Sequence, residues 1–129
     1  MKEFHSGDVP FEPADQRNFV GPARVKKLPL VDGAEPVVVY LVQFDPGGRT
    51  NWHRHSGPQL LLVKDGQGYV QKWGEAARAI GPGDAITIEP NEKHWHGAGP
   101  DARMAHFAVN LTLTTEWLEP VSDDQYRAS

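Results

Sequence analysis

Three histidines in two separate segments of this chain have a spacing that suits a metal site. His53 and His55 are separated by one residue, and His94 ends a later segment that begins at Glu89. Because side chains at positions i and i+2 of an extended strand leave the same face, His53 and His55 can point at one ion. Gln59 adds a carboxamide oxygen four residues after His55. Three nitrogens and one oxygen predict one divalent transition metal, with manganese, iron, nickel and zinc as the candidates.

A second group of residues could move protons beside such an ion. His106 and Asn110 lie on one face of the segment Met104–Asn110 if that segment is a strand. An imidazole with an ordinary pKa near ~6.5 exchanges protons near neutral pH, so His106 is a candidate catalytic residue. His96 follows His94 by two residues. It could ligate the ion, shuttle a proton or, in the interpretation we prefer, hydrogen-bond to the ligands.

Apolar and aromatic residues near these histidines are candidates for a pocket wall. Tyr40 and Val42 share a face of the segment Val37–Phe44, and Trp52 precedes His53. Each of them could equally be a core residue. Tyr40 is also a candidate catalytic residue, because its hydroxyl could donate a hydrogen bond to a ligand oxygen at the mouth of a barrel.

The elements that would position these residues are short β-strands. The 13 glycines and 11 prolines divide the chain into short pieces rich in β-branched and aromatic residues, and helical periodicity is nearly absent. Strands spaced by roughly 8 to 12 residues are typical of an all-β sandwich or barrel. The predicted strands are Val37–Phe44, Thr50–His55, Gln59–Lys64, Gly68–Trp73, Ala76–Ile80, Asp84–Ile88, His94–Gly97 and Arg103–Leu113.

The two ends of the chain differ from this pattern. Residues 1–36 are rich in proline and predict an extended N-terminal arm with one strand near Arg24–Leu28. Residues 37–129 predict the barrel, and the whole chain is short enough for a single domain. Ser122 is followed by acidic residues and predicts the N-cap of one closing helical turn.

Composition excludes several classes of function. The chain has no cysteine, which removes disulfides, thiolate metal sites and cysteine nucleophiles. Its 13 basic and 17 acidic residues give a net charge of −4 without a basic stripe, so we expect a small-molecule partner and no nucleic acid. There is no apolar signal core at the start and no apolar run near the ~20 residues that span a bilayer. We therefore expect no membrane partner and a cytoplasmic protein.

The spacing of these residues resembles the two sequence motifs of the cupin superfamily. The residues that match the first motif are Gly47, His53, His55, Gln59 and Gly66. Gln59 stands where cupins usually have glutamate. The second motif is matched from Gly83 to His94, with Glu89 in place of a usual proline and Asn91 in place of a usual glycine. The resemblance implies a double-stranded β-helix, or jelly-roll barrel, with a metal inside and subunits that associate as homodimers or homotetramers.

A closer resemblance is to small bacterial cupins that include manganese-dependent hydroxynitrile lyases. The stretches that carry it are Arg49–His55, Glu92–Ala98 and Glu116–Arg127. It implies manganese as the first candidate metal and the ligands His53, His55, Gln59 and His94. It also implies that His106 transfers the proton while a cyanohydrin is reversibly split into a carbonyl compound and hydrogen cyanide. The chain departs from that subgroup at Tyr40, where we expect a smaller residue, and at Asn110, where we expect glutamine.

Other functions are compatible with the same residues. A dioxygenase that uses iron, nickel or manganese could share the site, and so could a non-catalytic cupin that binds a sugar or a small acid. Isomerisation of a sugar derivative is a further alternative. The fold alone does not choose among these functions, whereas oxygen consumption separates a dioxygenase from a lyase.

Overall fold

Short antiparallel strands make up most of the molecule. The structure is a computed structural model that describes residues 1, 3–28, 37–111 and 113–129. Its elements are a 3₁₀ turn at Ser6–Asp8, β1 (Glu12–Pro13), β2 (Phe19–Val20), β3 (Ala23–Leu28), β4 (Val37–Phe44), β5 (Arg49–Thr50), β6 (His53–His55), β7 (Gln59–Gly66), β8 (Gly68–Lys72), β9 (Arg78–Ile80), β10 (Ala85–Ile88), β11 (His94–Ala98), β12 (Met104–Leu111), β13 (Thr115–Trp117) and α1 (Asp123–Arg127). This content confirms the predicted all-β class. Within the described ranges, no helix is long and apolar enough to cross a membrane.

The strands form two sheets that share one core. One sheet has six strands in the order β1-β3-β4-β12-β7-β10. The other has seven, with β13-β6-β11-β5-β2 along one path, β8 paired with β11, and β9 paired with β8. Apolar side chains from both sheets, such as Leu61 and Val70, form one buried cluster. The two-residue alternation of the strands therefore turns one face of each sheet toward a common interior.

The strand that we predicted to carry both His53 and His55 is interrupted. We predicted one strand over Thr50–His55, and the structure has β5 and β6 separated by Asn51 and Trp52. The backbone N–H of Asn51 donates to the carbonyl oxygen of Asn18, and that of Trp52 donates to the carbonyl oxygen of Glu119. These two hydrogen bonds lie outside the strand pairing. They connect the residues between β5 and β6 to the N-terminal and C-terminal segments of the chain.

The N-terminal segment is more regular than the predicted arm. The strand expected near Arg24–Leu28 is present as β3, which pairs with β4, while β1 and β2 also pair with other strands. Lys26 is buried, and its ammonium donates to the carbonyl oxygens of Ser6 and Val9. Strands of two residues leave almost no periodic pattern, which is why β1 and β2 were missed. The predicted end of the arm at residue 36 lies outside the described residues.

The C-terminal tail folds back onto the barrel. Ser122 caps α1 in a capping box with Gln125, as predicted. The Tyr126 hydroxyl donates to the carbonyl oxygen of Ala98 at 2.6 Å. The buried guanidinium of Arg49 donates to the carbonyl oxygen of Val121 at 2.7 Å. The tail is thereby fixed against β5, which precedes His53, and β11, which carries His94 and His96.

Gly66, at the end of β7, lies where β7 closely approaches β12, and Gly74 offers a comparison outside this contact. Gly66 has a φ of +83°, and a Cβ there would press against the Arg103 carbonyl oxygen and lie 2.7 Å from the Met104 Cα. Gly74 has a φ of +86° with nothing within 4 Å of its Cβ position. We expect Gly74→Ala to lower the free energy of unfolding by about 1 kcal/mol through backbone strain alone. Gly66→Ala should lower it by roughly 4 kcal/mol or more. Urea denaturation measures both changes, and an equal decrease in the free energy of unfolding for the two variants would contradict the close packing of Gly66 against β12.

Candidate metal centre

Two neighbouring strands bring the three predicted imidazole ligands together in the interior of the barrel. His53 of β6 and His94 of β11 are directly opposite in the strand pairing, and their ring centroids are 4.2 Å apart. Alternation along β6 buries His53 and His55 and leaves Arg54 exposed. The His55 ring lies 5.0 Å from that of His53 and 5.2 Å from that of His94. The structure therefore brings the three predicted imidazoles together.

The Nδ1 atoms of two of these imidazoles are held by the backbone. His53 Nδ1 lies 2.8 Å from the carbonyl oxygen of Asn51, and His94 Nδ1 lies 2.8 Å from that of Glu92. A carbonyl oxygen can only accept a hydrogen bond, so each Nδ1 carries the proton and each Nε2 keeps a lone pair. The Nε2 of His94 is buried and has no hydrogen-bond partner among the described residues. This is the state of an imidazole prepared to bind a metal.

His55 is held from both sides. Its Nδ1 lies 2.9 Å from the Thr115 hydroxyl, and its Nε2 lies 3.1 Å from Oε1 of Gln59. The other end of the Gln59 carboxamide donates from Nε2 to Oδ1 of Asn110 at 2.7 Å. The predicted oxygen ligand therefore adjoins the imidazoles, and its oxygen is the end that faces them.

Two further histidines lie beside the first three. Nitrogens of His53, His94 and His96 all lie within 4.8 Å of one another. His96 Nδ1 is 2.9 Å from His106 Nε2, so one of these nitrogens donates to the other. The remaining nitrogen of each ring is buried without a partner among the described residues. This position allows His96 to be a ligand in its own right or the hydrogen-bond partner of His106.

Burial keeps all five imidazoles neutral. It lowers the pKa of His94 and that of His106 to about 4. The pKa values of His53 and His96 fall well below the ordinary 6.5, through burial first and then through the neighbouring imidazoles. Burial also lowers the pKa of His55. The neutral form is the one that binds metal ions, so no proton has to be displaced from the Nε2 atoms of His53 and His94 at pH 7.

A cavity of about 850 Å³ opens beside the histidines. The predicted site residues that line it are His53, His55, Gln59, His96, His106, Tyr40, Val42 and Asn110. Pro13 and Ala14 from the N-terminal segment and Leu113 and Trp117 from the C-terminal segment also line it. A cavity of this size accommodates a small organic molecule.

Trp52 does not line this cavity, contrary to the prediction for it. Its indole packs in a separate cluster with Trp95, Val121 and Tyr126, and its Nε1 donates to Oε1 of Gln125 at 3.2 Å. The reason is strand alternation, because the inward direction of His53 and His55 turns the residue before them to the opposite side.

Three residues of the site were missed in the sequence. Thr115 contacts the Nδ1 of His55, and the Trp117 ring lies 4.6 Å from the ring of His53. Thr115 and Trp117 are two residues apart on β13, an alternation that could have been recognised in the tail. The third is Asn51, whose contribution to His53 is a backbone carbonyl and carries no side-chain signal.

The donor set fits a divalent transition metal. Neutral imidazoles with anchored Nδ1 atoms, together with a carboxamide oxygen, are the ligands that such ions accept. The residues that could hold the ion are His53, His55, Gln59 and His94, with His96 as an alternative. Asn91, in the turn before His94, has a φ of 65°, the left-handed conformation that the usual glycine of the motif would adopt.

Comparisons with known proteins now identify the family. The cupin domain family matches residues 40–110. The chain belongs to the cupin family. An (R)-mandelonitrile lyase from Granulicella tundricola is 42% identical to it over 120 residues, which cover 89% of this chain and 88% of that protein.

Solved structures agree with this assignment. A cupin-like protein from Thermotoga maritima MSB8 superposes with a TM-score of 0.85 at 39% identity, over 89% of this chain and 90% of that one. The polyketide cyclase RemF from Streptomyces resistomycificus shares the fold, with a TM-score of 0.70 at 24% identity, over 98% of this chain and 91% of that one. The predicted cupin resemblance and jelly-roll fold are thereby confirmed.

The neutral imidazoles should make the metal-free protein sensitive to acid. The folded pKa of His94 and that of His106, about 4, lie below the ordinary 6.5. The unfolded chain therefore takes up more protons as the pH falls from about 6.5 to about 4, and the free energy of unfolding decreases across that window. Each such histidine contributes on the order of 3 kcal/mol.

Urea denaturation of chelator-treated protein at several pH values measures this loss. His106→Leu removes one of the buried groups, so its pH profile should be flatter than that of the parent protein. Parallel profiles would contradict the neutral burial of His106.

Proposed function

We propose that this cupin is a metal-dependent lyase that reversibly splits a cyanohydrin into a carbonyl compound and hydrogen cyanide. The observation that carries the proposal is His106, a buried imidazole in the cavity wall whose pKa of about 4 makes it a neutral base at pH 7. Cleavage of a cyanohydrin requires a group that takes the hydroxyl proton and returns it to cyanide. The 42% identity with (R)-mandelonitrile lyase supports this reaction class.

We propose one divalent ion in the site, with manganese as the first candidate and iron, nickel and zinc as alternatives. The proposed ligands are His53, His55, Gln59 and His94. Held by four neutral groups, the ion would keep its full charge and supply a Lewis acid toward the substrate hydroxyl. His96 is assigned to the proton path because its Nδ1 is engaged with His106.

The proton and electron movements follow from the position of His106. In the cleavage direction its imidazole accepts the hydroxyl proton of the substrate. The bond between carbon and cyanide then breaks, cyanide leaves with the electron pair, and the carbonyl group forms. The imidazolium returns the proton to cyanide. His96, 2.9 Å away, shares the charge of the imidazolium through its hydrogen bond.

The remaining cavity residues would hold the substrate. Tyr40 can donate its hydroxyl to an oxygen or nitrogen of the ligand. Val42 is the β4 partner of His106 and limits the space next to it. Phe19 and Trp117, with ring centroids 5.8 Å apart, offer an aromatic wall for a ring on the substrate.

The first test measures the metal and the reaction on the same samples. Elemental analysis of the purified protein should show one divalent ion per chain. Metal-saturated protein should then release an aldehyde from mandelonitrile under both aerobic and anaerobic conditions. Oxygen consumption with turnover only in air would favour the dioxygenase alternative, and binding without turnover would favour a non-catalytic cupin.

Single substitutions separate the proton path from the metal site. His106→Ala should keep the metal and lose roughly 10²- to 10⁴-fold in rate, the contribution of general acid–base catalysis. His53→Ala should lose both metal and activity. Trp52→Phe is the control, because Trp52 lies in the separate tryptophan cluster. Full activity of His106→Ala would refute the proposed mechanism.

We also propose that the protein is a homo-oligomer that associates through the outer face of the six-stranded sheet. Apolar side chains alternate outward on β4, β7 and β12, and the strand register places Val109 beside Val39 and Leu60. Leu62 and Leu111 on this face are 37% and 39% exposed. Contiguous exposed apolar surface of this kind is typical of a protein interface.

Charge on this outer face should break the assembly. Leu62→Lys should convert a dimer or tetramer to monomers in light scattering at micromolar concentration. Trp73→Lys is the matched control, because Trp73 is 49% exposed and lies outside this face, just after β8. A parent protein that is monomeric at this concentration would contradict the proposal without affecting the site.

A further inference from the structure

We infer that Asn110 is a positioning residue that sets which end of the Gln59 carboxamide faces the histidines. The inference rests on the proposed metal site and deepens it. Gln59 begins β7 and Asn110 lies near the end of β12, and the two residues are direct partners in the antiparallel pairing of these strands. Their side chains share the inner face, where both line the cavity.

The two ends of the carboxamide have different neighbours. Gln59 Nε2 donates to Asn110 Oδ1 at 2.7 Å, while Gln59 Oε1 lies 3.1 Å from the Nε2 of His55. Gln59 is only 4% exposed, so water has little access to either end. In the observed orientation each end of the amide therefore has a partner.

Orientation matters because the two ends are nearly equal in size and opposite in chemistry. The oxygen has lone pairs that can bind a cation. The NH₂ group has two N–H donors and no lone pair available to a cation. An amide turned by half a rotation would direct hydrogen atoms at the ion. A glutamate in this place would have no such problem, since both of its ends are oxygens.

Asn110 provides a hydrogen-bond acceptor for the Gln59 carboxamide when its oxygen faces the histidines. When Oε1 faces the histidines, the NH₂ group points at β12 and needs an acceptor in a buried place. Asn110 Oδ1 supplies that acceptor, and without it a donor would be left unpaired, at a cost comparable to a lost hydrogen bond. The side chain thus supports the ion through Gln59 and needs no contact with it.

The test is a double-substitution cycle read as metal affinity without substrate. Mn²⁺ binding is measured by isothermal titration with the full-length protein. Asn110→Leu, which keeps the branching of the side chain and removes the acceptor, should weaken Mn²⁺ binding by roughly 10- to 100-fold. In a Gln59→Glu background the same substitution should change it by less than about 3-fold, because the carboxylate has no wrong end.

Controls separate orientation from packing. Val38 is the β4 partner of Asn110 and also lines the cavity, so Val38→Ala should leave Mn²⁺ affinity unchanged. Asn110→Asp retains an acceptor and should retain Mn²⁺ binding. If Asn110→Leu does not give the circular dichroism spectrum of the parent, Asn110→Ala replaces it in both backgrounds.

The outcomes distinguish this inference from the proposed function. Equal losses of affinity in the parent and Gln59→Glu backgrounds, or no loss in either, would overturn the role of Asn110 and leave the metal site intact. A parent protein that binds no divalent ion would overturn both. A lack of lyase activity in metal-loaded protein would overturn the reaction alone, because affinity is measured without turnover.

Discussion

Burying five histidines inside a small β-barrel constrains the rest of the molecule, because a charged imidazole in an apolar interior is costly. The imidazoles must stay neutral, and their buried N–H groups need acceptors. His53 and His94 meet this requirement by donating from Nδ1 to backbone carbonyl oxygens. The arrangement leaves their Nε2 atoms with lone pairs, which only a cation or a proton can use. The interior is thereby prepared for a metal by the same interactions that make it stable.

Strand pairing turns this requirement into a defined geometry. The pairing of β6 with β11 sets His53 against His94, and the pairing of β12 with β7 sets Asn110 against Gln59. Backbone hydrogen bonds fix these registers, and a shift of one strand by one residue would turn the candidate ligands on that strand to the outside. The positions of these side chains are therefore set by the pairing of the strands.

The two ends of the chain complete the site. Backbone bonds to Asn18 and Glu119 hold the two residues between β5 and β6, directly before His53. Thr115 anchors His55, and Trp117 packs beside His53. The cavity next to the histidines is consequently lined in part by segments that a barrel motif alone does not include. Differences in these segments between related cupins would change which molecules can enter while the candidate ligands stay in place.

The amino-acid sequence by itself determined what depends on neighbours along the chain. Spacing of two residues turns His53 and His55 to one face, Asn91 accepts a left-handed turn, and Ser122 caps the last helix, since each follows from the local backbone. The spacing of the two cupin motifs also supplied the set of metal-ligand candidates from the sequence alone. Alternation could also have placed Trp52 outside the cavity. Only the tertiary structure decided which distant groups meet, because the contacts of His96 with His106 and of Gln59 with Asn110 join residues that are separate in the sequence. They depend on the register of whole strands, which is set by the sum of many backbone bonds and packed side chains. No residue's immediate neighbours contain that information. The same holds for β1 and β2, whose two residues become strands because the barrel offers their backbones a partner.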